Sequence, residues 1–150
     1  MSDLALPNVV QILLVEDDPA DAELTLRLFR DAKVANQVSL VEDGEQALAF
    51  LRREVGHEEA ARPDLIILDL NLPVLHGTEV LRAIKDDPDL RRIPVVVLTT
   101  SQADEDIVRA YNLRANCFLT KPLSLRGFVT MMESIDHFWL SVVRLPHEDG

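Results

Sequence analysis

Side chains that can do chemistry directly follow four short apolar segments of this chain. These are Glu16 and Asp17, Asp69, the pair Thr99 and Thr100, and Lys121. In open α/β sheets, ligands bind just beyond the carboxyl ends of the parallel strands. If the apolar segments are such strands, three carboxylates, a hydroxyl group and an ammonium group lie at one edge of the sheet.

Each of these residues also has a plainer explanation. Acids after a strand often cap the next helix, which is the role predicted for Asp18; threonine ends strands comfortably, and Lys121-Pro122 is an ordinary turn sequence. For any one residue that explanation stays open. The coincidence of complementary groups after four different segments favours a shared site.

Three neighbouring carboxylates favour a bound cation, because like charges in a partly desolvated site raise one another's pKa. Carboxylate oxygens suit Mg²⁺, which keeps several waters and is often completed by phosphate oxygens. With the metal present, a carboxylate can act as a nucleophile toward phosphorus, and Asp69 is the candidate because it ends the most apolar segment. Lys121 and Thr99 are then placed to contact the transferred oxygens.

Other metal chemistry finds no support in the sequence. Cys117 is the single cysteine, and the four histidines lack mutual ligand spacing and are interpreted as surface or loop residues. A lone cysteine also forms no intramolecular disulfide, which favours a reducing compartment, and we expect a cytoplasmic location.

The apolar segments alternate with segments of helical spacing. Strands are predicted at 12–15, 38–41, 65–68, 95–98 and 117–119, and helices at 19–32, 45–53, 78–85, 104–113 and from Ser124 to about 144. In the first helix Leu24, Leu28 and Phe29 are expected to share the apolar face. The order predicts an α/β fold: a flavodoxin-like, doubly wound, five-stranded parallel sheet of order 2-1-3-4-5 with five helices.

The predicted elements occupy one domain over residues 11–144, with an N-terminal extension at 1–10 and a tail at 145–150. A formal net charge of −11 argues against nucleic acid as a partner, since affinity for phosphates comes largely from Lys and Arg. No apolar run approaches the roughly 18 residues that span a bilayer, so no membrane segment is expected.

With these residues in view, the chain closely resembles the receiver domains of two-component signalling. The resemblance runs from Gln11 to about Leu140 and rests on LVED at 14–17, LDLNLP at 68–73, VLTTS at 97–101 and Lys121-Pro122. The segment 86–101 and the ending at 138–140 look most like the small regulators paired with phytochrome histidine kinases.

The resemblance implies a role for each matching residue. Asp69 would be the phosphoacceptor, and Mg²⁺ would be held by Glu16, Asp17, Asp69 and the backbone carbonyl of Asn71. Thr99 would be the switch hydroxyl, Lys121 the phosphate-contacting base and Phe118 the switch aromatic, although Phe118 is also explained by core packing. A histidine kinase, of phytochrome type, would donate the phosphoryl group, and the receiver would catalyse its own phosphorylation and dephosphorylation.

Two positions depart from the pattern of the family. Arg114 stands where many receivers have Gly past the helix before the last strand, so a left-handed cap there would carry roughly 1 kcal/mol of strain. His76 replaces the Asp that often precedes the glycine after the phosphoacceptor strand, here Gly77.

Output is expected through protein contacts, because the sequence leaves no room for a DNA-binding effector after the receiver. Phe138, Trp139 and Leu140 place bulky apolar groups around more than one face of the last helix, which predicts a homodimer interface. The alternative is that they seal the core; the downstream protein is unknown.

Two rival functions fit the sequence less well. Phosphohydrolases with an aspartyl nucleophile commonly carry a second Asp two residues later, where this chain has Asn71, and a cap domain, which this chain lacks. Pseudo-receivers usually lose an acid, the Thr or the Lys, and none is lost here.

Overall fold

The computed structural model describes residues 9–32, 35–100 and 117–134, together with 103, 106, 108, 109 and 115. Five parallel strands form one sheet in the order β2-β1-β3-β4-β5, as predicted. The strands are β1 (Val10–Val15), β2 (Asn36–Val41), β3 (Leu65–Asp69), β4 (Val95–Thr99) and β5 (Cys117–Thr120).

The three inner strands are almost completely buried because helices cover both faces of the sheet. Every residue of β3 and of β4 is buried, whereas β2, at one edge, buries only Val41. Continuous Val, Ile and Leu runs are the sequence pattern of such doubly covered parallel strands.

Four helices lie within the described residues: α1 (Pro19–Arg30), α2 (Gly44–Leu51), α3 (Gly77–Asp86) and α4 (Leu125–Ser134). Their starts are capped by side chains: Asp18 Oδ1 accepts from the N–H groups of Ala20 and Asp21, and Ser124 Oγ accepts from the N–H of Gly127. The Asp18 cap confirms a sequence prediction, and Ser124 marks the predicted start of the last helix.

The core consists of two apolar clusters, one on each face of the sheet. The cluster under α2 and α3 includes Val80, Leu81 and Ile84, and the cluster under α1 and α4 includes Phe29 and Phe128. The rings of Phe29 and Phe128 meet edge to face, with 5.0 Å between centroids and an interplanar angle of 84°. That contact joins α1 to α4.

The predicted apolar face of α1 differs from the structure, and part of the apolar face of α4 is exposed. In α1 the buried residues are Ala22, Thr25 and Phe29, while Leu24 and Leu28 are only half-buried. In α4, Phe128 is buried but Leu125 and Val129 are exposed, at 68% and 46%. The apolar stripe of α4 is therefore wider than the sheet covers.

The predicted helix at 104–113 falls mostly outside the described residues. Of that segment Asp106, Val108 and Arg109 are described, each in helical conformation. Among the parts of the chain that the structure describes, no helix is long and apolar enough to cross a membrane.

Gly77, the first residue of α3, lies directly against the end of β3. Its N–H donates to the carbonyl of Leu70 at 2.9 Å, and a Cβ at this position would meet the Cα of Leu70 and lie 2.6 Å from the carbonyl oxygen of Asp69. The start of α3 can approach the chemical edge of the sheet this closely only because residue 77 has no side chain.

We therefore expect Gly77→Ala to lower the free energy of unfolding by about 1–3 kcal/mol, the usual cost of overpacking against rigid backbone. Urea denaturation measures the change. Gly127→Ala is the matched control, because a Cβ there meets the flexible Leu123 side chain at 3.1 Å within a helix. The control should be neutral or stabilising, and an equal loss in both variants would contradict the packing argument.

Candidate functional site

The carboxyl ends of β1, β3, β4 and β5 bring the predicted chemical residues to one edge of the sheet. The register pairs Val15 with Leu68, Asp69 with Leu98 and Thr99 with Thr120, so these strands end nearly level. Glu16 follows β1, Asp69 and Thr99 end β3 and β4, and Lys121 follows β5.

The ammonium group of Lys121 is the centre of this site. Its Nζ lies 2.8 Å from Asp69 Oδ2, 3.0 Å from Glu16 Oε2 and 3.1 Å from Asp21 Oδ2. The side chains of Glu16 and Asp69 are each 1% exposed and that of Lys121 is 9% exposed. An ammonium group has three donors, and three carboxylates surround this one.

Burial raises the pKa of Glu16 to about 7, because desolvation and the neighbouring Asp69 oppose its charge more than Lys121 favours it. Its Oε2 also accepts from the N–H of Asp18 at 3.2 Å. Its Oε1 is buried and has no hydrogen-bond partner. A buried oxygen without a donor favours either a protonated carboxyl group or a nearby cation.

The pKa of Lys121 moves in the opposite sense to that of an isolated buried lysine. Burial alone lowers the pKa of the ammonium, but its hydrogen bonds to Asp69 and Glu16 outweigh this and hold the pKa above its ordinary value. Lys121 therefore stays charged.

The two oxygens of Asp69 have separate partners. Oδ2 accepts from Lys121, and Oδ1 accepts from the N–H of Asn71 at 2.9 Å. Asn71 itself is exposed in the loop after β3. The predicted part of its carbonyl in holding a metal stays a prediction.

Glu16, Asp17 and Asp69 satisfy a geometric requirement of a metal site. Each offers a carboxylate oxygen, and these three oxygens lie within 4.8 Å of one another. Asp17 is exposed whereas the other two are buried, so the cluster opens toward solvent on one side. Together with the unpartnered Glu16 Oε1, this donor set fits a hard divalent cation.

Thr99 and Phe118 lie where the sequence places them, on adjacent strands. Thr99 is 6% exposed at the end of β4. Phe118 on β5 is half-buried against the α2 and α3 side of the core, and the Arg109 guanidinium carbon lies 5.0 Å from its ring centroid. Phe118 therefore takes part in core packing and also in a cation–π contact.

His76 has a structural role that the sequence interpretation missed. Its Nδ1 accepts from the N–H of Thr78 at 3.1 Å, so it is the N-cap of α3. Just before it, Val74 is 75% exposed with a positive φ of 68°, and the N–H of Leu75 donates to the carbonyl of Pro73 at 2.7 Å. A β-branched residue in this conformation costs on the order of 1–3 kcal/mol.

Asp21 is the site residue that sequence reasoning did not find. It lies in the first turn of α1, close in sequence to Glu16 and Asp17. Its position could have identified it as a candidate, because a residue in the first turn of the helix after β1 lies near the carboxyl end of that strand.

The remaining predicted positions, Arg114 and the interface residues Phe138, Trp139 and Leu140, lie outside the described residues.

Residues 12–133 match the family model of the response regulator receiver domain. This chain belongs to that family. The receiver is 46% identical over 146 residues to the response regulator Rcp1 of Synechocystis sp., covering 97% of this chain and 99% of that protein. The resemblance inferred from the sequence motifs is confirmed.

Solved structures agree with the receiver fold. The Mn²⁺-bound form of Rcp1 superposes with a TM-score of 0.75 at 45% identity, covering 89% of this chain and 96% of that one. The phosphorylated cyanobacterial phytochrome response regulator RcpA gives 0.74 at 47%, covering 88% and 94%. The bacteriophytochrome response regulator RtBRR gives 0.78 at 43%, covering 85% and 78%. The receiver is thus homologous to phytochrome response regulators.

The raised pKa of Glu16 predicts a pH-dependent stability in the metal-free receiver. In the folded state Glu16 keeps its proton up to about pH 7, whereas the ordinary pKa of a glutamate is 4.5. The contribution of Glu16 to the free energy of unfolding therefore falls as the pH rises between these two values. Glu16→Gln carries no buried charge, and its free energy of unfolding relative to wild type should therefore increase from pH 5 to pH 8.

Urea denaturation at several pH values with a chelator present measures this difference. Glu23→Gln removes an exposed carboxylate of α1 and is the control, for which the difference should not vary with pH. A constant difference for Glu16→Gln as well would contradict the assigned cause.

Proposed function

We propose that this receiver accepts a phosphoryl group on Asp69 from a histidine kinase and signals through protein contacts. The observation that carries the proposal is the position of Lys121, whose ammonium lies 2.8 Å from Asp69 and is itself buried. A buried ammonium beside a buried carboxylate is suited to an anion that arrives on that carboxylate, because phosphoryl transfer depends on positioning and electrostatics.

In the transfer, an oxygen of Asp69 forms a bond to phosphorus while the bond from phosphorus to the donor nitrogen breaks. The donor histidine keeps that electron pair. Asp69 is oriented for this by the Asn71 N–H on one oxygen and by Lys121 on the other. Lys121 stays positively charged and can hydrogen-bond the phosphoryl oxygens.

Mg²⁺ would be held by Glu16, Asp17 and Asp69, with the backbone carbonyl of Asn71 as a further ligand. When bound, the cation neutralises the charge of the phosphoryl oxygens. Support comes from the cluster of carboxylate oxygens within 4.8 Å and from the buried Glu16 Oε1 that has no protein partner.

Thr99 and Phe118 are proposed to couple phosphorylation of Asp69 to a conformational change at the protein surface. Thr99 lies at the same edge as Asp69, and Phe118 lies on the neighbouring strand β5. A phosphoryl group that draws the Thr99 hydroxyl toward it biases the packing of Phe118, which is a two-state element controlled by local charge.

Incubation with Mg²⁺ and a small acyl phosphate, followed by intact mass measurement, tests the central proposal. Wild type should gain one phosphate, and Asp69→Asn should gain none, because the nucleophilic oxygen is lost. Asp31→Asn, which alters an exposed acid at the C-terminal end of α1, is the matched control and should behave as wild type. No adduct in wild type would refute the proposal.

The kinase partner is proposed to be of phytochrome type. Support comes from the 47% identity to RcpA and from the similarity to RtBRR.

We further propose that the receiver catalyses its own dephosphorylation. The receiver domain is proposed to occupy residues 11–144, between a short extension and a tail, and the protein is proposed to be cytoplasmic. The location rests on the single cysteine.

A homodimer through the last helix and its neighbours is also proposed, with Phe138, Trp139 and Leu140 at the interface. Within the described part of the helix, Leu125 and Val129 support this because they leave an apolar strip exposed on α4.

Light scattering tests the dimer. Wild type should have the mass of two chains, and Phe138→Ala should shift it toward one chain because a large apolar side chain is lost from the interface. Val55→Ala is the control, since Val55 is 90% exposed in the loop after α2 and should leave the mass unchanged. A monomeric wild type at high concentration would end the proposal.

A further inference from the structure

Asp21 differs from the other carboxylates that contact Lys121. Its Oδ2 lies 3.1 Å from Lys121 Nζ, and its side chain is 25% exposed, whereas Glu16 and Asp69 are 1% exposed. Glu16 and Asp69 both belong to the cluster of carboxylates able to hold a metal, and Asp21 does not.

This difference becomes important when the site holds a divalent cation and a phosphoryl group. A divalent cation and a phosphoryl group would both engage the oxygens of Glu16 and Asp69, which are two of the three acceptors around Lys121. The carboxylate of Asp21 is the acceptor that remains committed to the ammonium. Lysine has a flexible four-carbon stem, so an acceptor that fixes its end reduces the number of conformations that Nζ samples.

We propose that Asp21 is a positioning residue for phosphoryl transfer, which holds the Lys121 ammonium beside Asp69 from the first turn of α1. The inference rests on the proposed function, because it assigns Asp21 to the same reaction. Asp21 takes no part in the bonds that change: the Asp69 oxygen bonds to phosphorus, the donor bond to phosphorus breaks, and the donor oxygen or nitrogen keeps the electron pair.

Two effects of Asp21 on Lys121 oppose each other, and two substitutions separate them. The carboxylate fixes the ammonium, which favours transfer, and it also competes with the phosphoryl group for the same positive charge, which disfavours transfer. Asp21→Asn removes the charge but keeps an oxygen acceptor, whereas Asp21→Ala removes both. If positioning dominates, the alanine variant is slow and the asparagine variant is close to wild type.

The rate of phosphorylation by a small acyl phosphate in the full chain with saturating Mg²⁺ measures this. We expect Asp21→Ala to be about tenfold slower, since a misplacement of about 1 Å can cost about a hundredfold in rate and the freed ammonium still samples the position beside Asp69. Asp21→Asn should be within about threefold of wild type. Glu23→Ala is the matched control, an exposed acid on the same helix with only surface ion pairs, and should leave the rate unchanged.

A double-mutant cycle with Lys121→Gln shows whether Asp21 acts through Lys121. In that background Asp21→Ala should change the rate by less than about twofold, because the group that it positions is already gone. The Mg²⁺ dissociation constant, from NMR titration of the backbone amides, should be unchanged in Asp21→Ala. Circular dichroism establishes that each variant is folded, and Asp21→Leu, which also lacks an oxygen acceptor, replaces the alanine variant if that variant is not.

The results distinguish a failure of the positioning role of Asp21 from a failure of the proposed function. A wild-type rate in Asp21→Ala, a faster rate in either variant, full additivity with Lys121→Gln or a weakened Mg²⁺ affinity would overturn the positioning role. If wild type is phosphorylated, none of these four results contradicts the proposed function. Failure of wild type to be phosphorylated on Asp69 overturns both.

Discussion

The burial of two carboxylates beside one ammonium group is the constraint on which this receiver depends. Glu16 and Asp69 are nearly inaccessible to solvent and share the ammonium of Lys121 at 3.0 Å and 2.8 Å. Removing charge from water is costly, and the cost is offset here by mutual attraction and hydrogen bonds. One ammonium does not fully compensate this group, as the raised pKa of Glu16 and its unpartnered Oε1 indicate. The site is therefore built to receive a cation.

The parallel sheet makes this arrangement possible. Its strands end nearly level, so groups that follow β1, β3 and β5 lie together although Glu16 and Lys121 are 105 residues apart in the chain. The helices add further contacts at the same edge, since the first turn of α1 carries Asp21 and the start of α3 lies against the carbonyl of Asp69. Helices on both faces of the sheet therefore have residues close to the site.

The two faces of the sheet differ in the contacts that link them to the site. The α1 and α4 side is joined by the edge-to-face contact of Phe29 with Phe128 and reaches the site through Asp21. The other side holds Phe118, which contacts both the core and the Arg109 guanidinium. Packed interiors shift between discrete arrangements more readily than they deform continuously. Phe118, which is half-buried and whose ring centroid lies 5.0 Å from the Arg109 guanidinium carbon, is the residue proposed to undergo such a shift.

The sequence by itself determined the number of strands, the edge at which the chemistry collects and the identities of Glu16, Asp17, Asp69, Thr99 and Lys121, whereas the strand order was predicted from the usual topology of such folds. Apolar runs followed by polar residues report these features directly, because a parallel sheet places every strand end at one edge. Tertiary structure decided the rest. Asp21 joins the site only because the long side chain of Lys121 reaches across to α1, and Leu125 and Val129 are exposed because the rotation of α4 on the sheet turns Phe128 inward. His76 caps α3 through the local path of its loop. Side-chain reach and helix rotation depend on contacts between segments distant in the chain, which periodicity along a single segment does not encode, and the path of the loop before α3 is local but has no periodic pattern.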